Sequence, residues 1–112
     1  MNFSTPTLVI NKTISLKNLD RMIDVAKKNN LVLRPHFKTH QSIEIGNWFK
    51  EKGITSITVS SISMAKFFSS EWNDITIAFP LNILEIDKLN LMIRGNRVKL
   101  LIDSISSLKI LD

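Results

Sequence analysis

Arg34-Pro35-His36-Phe37-Lys38-Thr39-His40 holds four basic or imidazole side chains within seven positions. It follows the apolar run Leu31, Val32, Leu33, so it sits where a hydrophobic strand gives way to polar residues. Successive side chains of a strand point to opposite faces. A strand that continues through the stretch puts Arg34, His36, Lys38 and His40 on one face, and Leu33, Pro35 and Phe37 on the other. A lysine among cationic neighbours has its ammonium form disfavoured. The free amine that results is the form needed for Schiff-base chemistry at neutral pH. The alternative is a solvated basic strand end with an ordinary surface lysine, and spacing alone does not choose between the two.

The elements around the stretch read as alternating strands and helices. Leu8, Val9 and Ile10 suggest a short strand from Thr7 to Lys12, entered through Pro6. Ser15 is a candidate N-cap for a helix in which Leu16, Leu19, Met22, Ile23 and Ala26 recur at helical spacing. Lys27 and Lys28 suit its last turn, and Asn29-Asn30 ends it. Leu31 to about Phe37 reads as a strand buried on both faces. Ser42 can cap a second helix carrying Ile45, Trp48 and Phe49, and Gly53 stands where glycine stops helices. Ile54 to Ser60 is a strand rich in Ile, Thr and Val. Ser61 or Ser63 opens a third helix with Ala65 and the pair Phe67-Phe68. Ile75 to Phe79 is a further strand, closed by Pro80. Ile86, Leu89, Met92 and Ile93 mark a fourth helix with Gly95 after it, and Val98 to Ile102 is the last strand. Ser104 then starts a helical pattern (Ile105, Leu108, Leu111) that is still running at Asp112.

Such alternation predicts an α/β fold with a parallel sheet. Four parallel strands between Leu31 and Ile102 make about half of an eight-stranded barrel. Half a barrel has open edges and an uncovered interior face. The expectation is therefore a truncated domain that is prone to associate.

Composition narrows the function classes. The 112 residues suit one small domain, and 44% hydrophobic with 22% charged residues excludes a disordered chain. With no cysteine, neither a disulfide framework nor a thiolate metal site is available, in keeping with a reducing cytoplasm. The start, Met1-Asn2-Phe3-Ser4-Thr5-Pro6, is not a secretory signal, and no apolar run has membrane-spanning length. The net charge of +5 comes from dispersed lysines that do not interleave with the six Phe and two Trp. A solvated surface fits better than a nucleic-acid face. Two histidines without a neighbouring carboxylate or thiol fall short of a metal ligand set.

The stretch Arg34 to His40 resembles the RPHxKTH signature of fold-type III pyridoxal-phosphate enzymes, and most nearly that of the D-threonine aldolase and D-serine dehydratase group. These have an alanine-racemase-like N-terminal domain. Thr5-Pro6-Thr7-Leu8-Val9-Ile10 resembles the opening TPxLVxD of that group, and Asp74 to Pro80 resembles its DILLAYP strand. Ile57-Thr58-Val59-Ser60 and Asp103-Ser104 resemble further strand ends, in the same order and spacing.

The resemblance implies that residues 1–112 are the N-terminal half of a (β/α)8 barrel, with barrel strands one to four present. The second half-barrel and a mostly β C-terminal domain are absent. The strand at Leu8–Ile10 would lie outside the eight. It implies an internal aldimine on Lys38, a D-amino acid substrate, and either retro-aldol cleavage or dehydration. It places Arg34, His36 and His40 near the cofactor, where the residues themselves allow structural roles equally well. Thr58 and Ser60 would either reach the pocket or pack. Ser104 reads first as an N-cap beside Asp103. A divalent metal would be held by residues outside this chain, and the whole protein is expected to be a cytoplasmic homodimer. The alternatives are a racemase of the same fold, a non-catalytic pyridoxal-phosphate carrier, or a fragment without activity. There are departures from the family pattern. Gln41 stands where a lysine is common, Met64 where a glutamate is common, and Phe79 where a tyrosine is usual. The alanine racemase motif KANAYGHG does not occur.

Overall fold

The computed structural model describes residues 4–92 and 95–111. Ile93, placed by its spacing in the fourth helix, and Asp112 lie outside the described residues. The chain forms two units, residues 1–33 and residues 34–112.

In the first unit, helix α1 spans Lys12–Lys28. It begins earlier than the Ser15 cap predicts, because Asn11 caps it instead: its side chain accepts from the Ile14 N–H at 3.0 Å. Asparagine is as good an N-cap as serine, and the first to be reached along the chain takes the role. Ser15 then sits inside the first turn and donates its hydroxyl to the Asn11 carbonyl at 2.9 Å. The helix ends in a Schellman closure. Asn30 is left-handed at φ +53°, the Leu31 N–H reaches the Ala26 carbonyl at 2.9 Å, and the Asn30 N–H reaches that of Lys27. The strand expected over Thr7 to Lys12 does not form, and Leu31 to Leu33 join no ladder among the described residues. Leu8 is 81% and Val32 84% exposed. A β-rich sequence makes a strand only where a neighbour supplies the other half of the ladder and a surface to pack on.

The second unit holds a parallel three-stranded sheet in the order β1 (Ser56–Val59), β2 (Asp74–Pro80), β3 (Arg97–Leu101). Ser56 pairs with Asp74 and Asp74 with Arg97; Val59 pairs with Ile77 and Ile77 with Leu100. The expected first barrel strand is reduced to one parallel bridge, His36 to Thr58, and the bond from the Thr58 N–H to the Pro35 carbonyl at 2.8 Å. It then turns into a one-turn 3-10 helix, Phe37–Thr39. Helices α2 (Ile43–Glu51), α3 (Ile62–Phe68), α4 (Ile86–Met92) and α5 (Ile105–Lys109) follow their predicted places. Ser42, Ser61 and Ser104 cap α2, α3 and α5, each accepting the N–H three residues on. Helix α5 stops at Lys109 rather than running to the end.

Alternation divides the sheet into two faces. Ile57, Val59, Ile75 and Ile77 are buried, as are Phe37, Phe68, Trp72, Leu89 and Met92. The other face carries Thr58, Asp74, Thr76 and Lys99 at sheet positions, with Arg34 beside them. This is a sheet with an apolar helix-covered side and a polar side.

Phe37 is completely buried, and its ring meets Phe49, Phe68 and Trp72 at centroid distances of 5.1–5.2 Å. Helix α2 approaches it through Gly46, where an added Cβ would come within 3.0 Å of Phe37 Cε2. Alanine normally favours a helix over glycine by about 1 kcal/mol. Overpacking an immovable core costs roughly 1–3 kcal/mol. The second effect wins because Phe37 has aromatic neighbours on its other sides. Gly46→Ala is therefore expected to lower the urea midpoint; an unchanged or raised midpoint would show that Phe37 can retreat.

Candidate active site

The backbone of Pro35 and His36 runs parallel to β1, so Arg34 lies towards the N-terminal ends of the strands and Lys38 towards the C-terminal ends. In parallel α/β sheets and barrels, chemistry gathers at the C-terminal ends. Lys38 is exposed, and among the described residues its Nζ has no hydrogen-bond or ion-pair partner. No carboxylate therefore holds the amine back from an incoming electrophile.

The 3-10 turn changes which residues share a face. Strand alternation holds through Arg34 and His36 and ends at Phe37. A 3-10 helix has about three residues per turn, so His40 comes round over Phe37 instead of joining Lys38. The rings of His40 and Phe37 are 4.5 Å apart between centroids. His40 also stacks on Phe49, at 5.8 Å and 22° between planes.

Both histidines do the same local job. His36 Nδ1 accepts the N–H of Lys38 at 3.1 Å, and His40 Nδ1 accepts the N–H of Ser42 at 3.1 Å. Each is an imidazole version of the Asx turn, in which a side chain accepts the backbone N–H two residues on. Each bond needs a bare Nδ1, so it belongs to the neutral ring. Burial lowers the pKa of both histidines, and the Lys38 charge lowers that of His36 further. His40 Nε2 is buried and has no hydrogen-bond partner among the described residues.

Arg34 is engaged elsewhere. Its guanidinium meets Asp74 Oδ1 at 2.8 Å and leans on the carbonyls of Ile57 and Asp74 at 3.3 and 3.4 Å. Asp74 also receives Lys99, at 3.1 Å, and Arg97 at the edge of range, 3.9 Å. The Arg34 hydrogen bond, with Lys99 adding to it, holds the Asp74 carboxyl below the usual carboxylate range. This ion cluster ties the beginnings of β2 and β3 to the stretch that leads into Lys38. The sequence reading singled out Arg34 but not its anchor. The only available signal was that Asp74 opens the strand facing Arg34.

Beyond β1 and β2 lies a cleft of about 180 Å³, lined by Ser60, Ser61, Phe79, Asn82 and Glu85 among others. Thr58 is half-buried on the polar sheet face, and Ser60 reaches the cleft wall. Asn82 and Glu85 were not picked out from sequence, and the Pro80-Leu81-Asn82 turn was the cue to them. Phe79 is exposed at the cleft, where the family pattern has a tyrosine. Gln41 is left-handed at φ +46°, and Met64 lies in α3. Asp103 accepts a bond from Ser107. Among the described residues there is no group of three His, Cys, Asp or Glu able to hold a metal, and no helix long and apolar enough to cross a membrane.

No family model matches the chain. It is 34% identical to D-serine dehydratase of Dictyostelium discoideum and 30% identical to D-threo-3-hydroxyaspartate dehydratase of Delftia sp. (strain HT23), each alignment covering 96% of this chain and 29% of the relative. The solved structure of the Delftia enzyme superposes with a TM-score of 0.89 at 28% identity, over 97% of this chain and 29% of that one. An alanine-substituted variant of D-threo-3-hydroxyaspartate dehydratase gives 0.90, and a further variant matches in its metal-free form. The chain thus spans about 29% of the length of the curated relatives it matches, and its fold is that of part of D-threo-3-hydroxyaspartate dehydratase.

The lowered histidine pKa values predict the pH response of stability. The unfolded chain takes up protons on histidine below about pH 6.5, while the folded chain resists them, so folding stability is present above pH 6.5 and lost as pH falls. A urea midpoint that drops between pH 7.5 and 5.5 is expected, with a smaller drop in His40→Phe. Equal drops in both proteins would remove His40 from the account.

Proposed function

We propose, for a chain homologous to D-serine dehydratase and D-threo-3-hydroxyaspartate dehydratase, that it forms the lysine-bearing part of a pyridoxal-phosphate lyase that removes water from β-hydroxy D-amino acids. One observation carries the reading. Lys38, in RPHFKTH, stands exposed and unpartnered among the described residues at the C-terminal end of a parallel sheet with the fold of part of those dehydratases.

The residues present fit the cofactor. An aldehyde needs a primary amine that no carboxylate holds and that has room around it, and Lys38 offers one. Lys38 would hold the cofactor covalently through Nζ. When bound, pyridoxal phosphate supplies an electron sink for the negative charge that develops at the substrate α-carbon. The remaining tasks belong to the chain's own groups. His36 Nδ1 is occupied by the Lys38 N–H, so Nε2 is its one nitrogen free to exchange a proton. Arg34 acts through Asp74, fixing the approach to Lys38 from the far end of the strand rather than touching the cofactor. His40 acts through the turn. Dehydration is favoured over retro-aldol cleavage because both relatives are named dehydratases. A related structure in a metal-free form supports a divalent metal in the whole protein, held by residues outside this chain.

Reduction of the whole protein with borohydride in the presence of pyridoxal phosphate, followed by peptide mapping, tests the reading. A pyridoxyl adduct concentrated on Lys38 is expected. Lys38→Ala should lose both the adduct and at least roughly a thousandfold of the dehydratase activity, as removal of a covalent catalytic group does. Label scattered over many lysines, or an active Lys38→Ala protein, would overturn it.

A further inference from the structure

The second histidine of the stretch has a task that its sequence position hides. The turn that carries Lys38 is a single 3-10 turn, whose hydrogen-bond geometry is poorer than that of an α-helix. It is pinned at its start by His36 Nδ1 and in its middle by the buried Phe37. At its exit the Phe37 carbonyl accepts the Gln41 N–H at 3.0 Å, and Gln41 must adopt a left-handed backbone, unfavourable for a residue with a Cβ. His40 spans this strained point. Its ring packs against both Phe37 and Phe49, and its Nδ1 takes the N–H of Ser42, the residue whose hydroxyl caps α2 at 3.2 Å.

We propose that His40 is a positioning residue. Through the Nδ1 bond to Ser42 it locks the Lys38 turn onto the start of α2 and so sets where the Lys38 amine is presented. It does not exchange protons with substrate, because Nδ1 is occupied and Nε2 is buried in the aromatic cluster. The proposal rests on the role given above to Lys38, but its local part can be read without the cofactor.

Two substitutions separate ring from acceptor. His40→Phe keeps an aromatic ring against Phe37 and Phe49 and removes the acceptor. His40→Asn removes the ring and restores an acceptor with the Asx geometry that reaches the N–H two residues on. Two readouts are taken in the whole protein, each at a pH where the variants remain folded by circular dichroism. The first is hydrogen exchange at the Gln41 and Ser42 amides. The second is pyridoxal phosphate with borohydride, scored as Lys38 label over label at other lysines. His40→Phe is expected to speed exchange at Ser42 and to lower Lys38 selectivity by roughly tenfold, within the hundredfold that a 1 Å misplacement of a reacting group can cost. His40→Asn is expected to recover both in part.

Wild-type exchange and wild-type selectivity in His40→Phe would overturn the proposal, since packing alone would then suffice. So would a loss in both variants that merely follows the loss of folded protein. If the unsubstituted protein shows no selective label at Lys38, the cofactor reading fails. Exchange at Ser42 then decides the latch by itself: acceleration in His40→Phe with recovery in His40→Asn supports it, and no difference overturns it.

Discussion

Burial of the Phe37 ring is the constraint on which the rest of the second unit depends. The turn around it is held by short-range bonds, among them the Lys38 N–H to His36 Nδ1 and the Gln41 N–H to the Phe37 carbonyl, but none of these ties it to the sheet or the helices. Complete burial of a phenylalanine side chain contributes about 1.5–3 kcal/mol, against about 0.5–1.5 kcal/mol net for any single hydrogen bond of the turn. The anchor divides the turn. Phe37 goes into the aromatic cluster with Phe49, Phe68 and Trp72, and Lys38, one residue later, points to solvent. Helix α2 closes on the same ring through Gly46, the one position where its backbone has no side chain to keep it away. Core packing and site geometry are thus one arrangement seen from two sides.

The polar face of the sheet is held differently. One carboxylate, Asp74, faces Arg34 and Lys99 closely and Arg97 at a distance. The Arg34 pair is only partly exposed, so solvent screens it less than a surface pair, and the guanidinium also reaches two backbone carbonyls. This cluster lies at the N-terminal ends of the strands. The open lysine lies at the other end. In parallel α/β structures chemistry usually gathers at the C-terminal ends of the strands, the end at which Lys38 stands. Arg34 and Lys38 are four residues apart in the chain and serve opposite ends of it.

Side-chain caps and breakers made most of the helices legible beforehand. Ser42 and Ser104 cap at their predicted positions, and of Ser61 and Ser63 it is Ser61 that caps, because an N-cap is a local bond that needs nothing beyond the next three residues. Gly53 takes φ +83° after α2 for the same local reason. Asn11 is as legible a cap as Ser15, and it is the one the helix uses. The strands were legible only where the fold gave them neighbours. Leu8 to Ile10 and Leu31 to Leu33 have the composition of strands and join no ladder among the described residues.

What the sequence determined by itself was the order of the helices and of the last three strands, most of the caps, and Lys38 as a candidate amine, since these follow from residue type and near spacing. Only the tertiary structure decided the face each basic side chain occupies. The period-two pattern over Arg34 to His40 ends where Phe37 finds its cluster, because a buried ring outweighs continued pairing of an edge segment. That turned the His40 ring onto Phe37 and Phe49 and left Lys38 outside. The partner of Arg34, forty residues away at Asp74, was likewise set by register between strands, which no local spacing encodes.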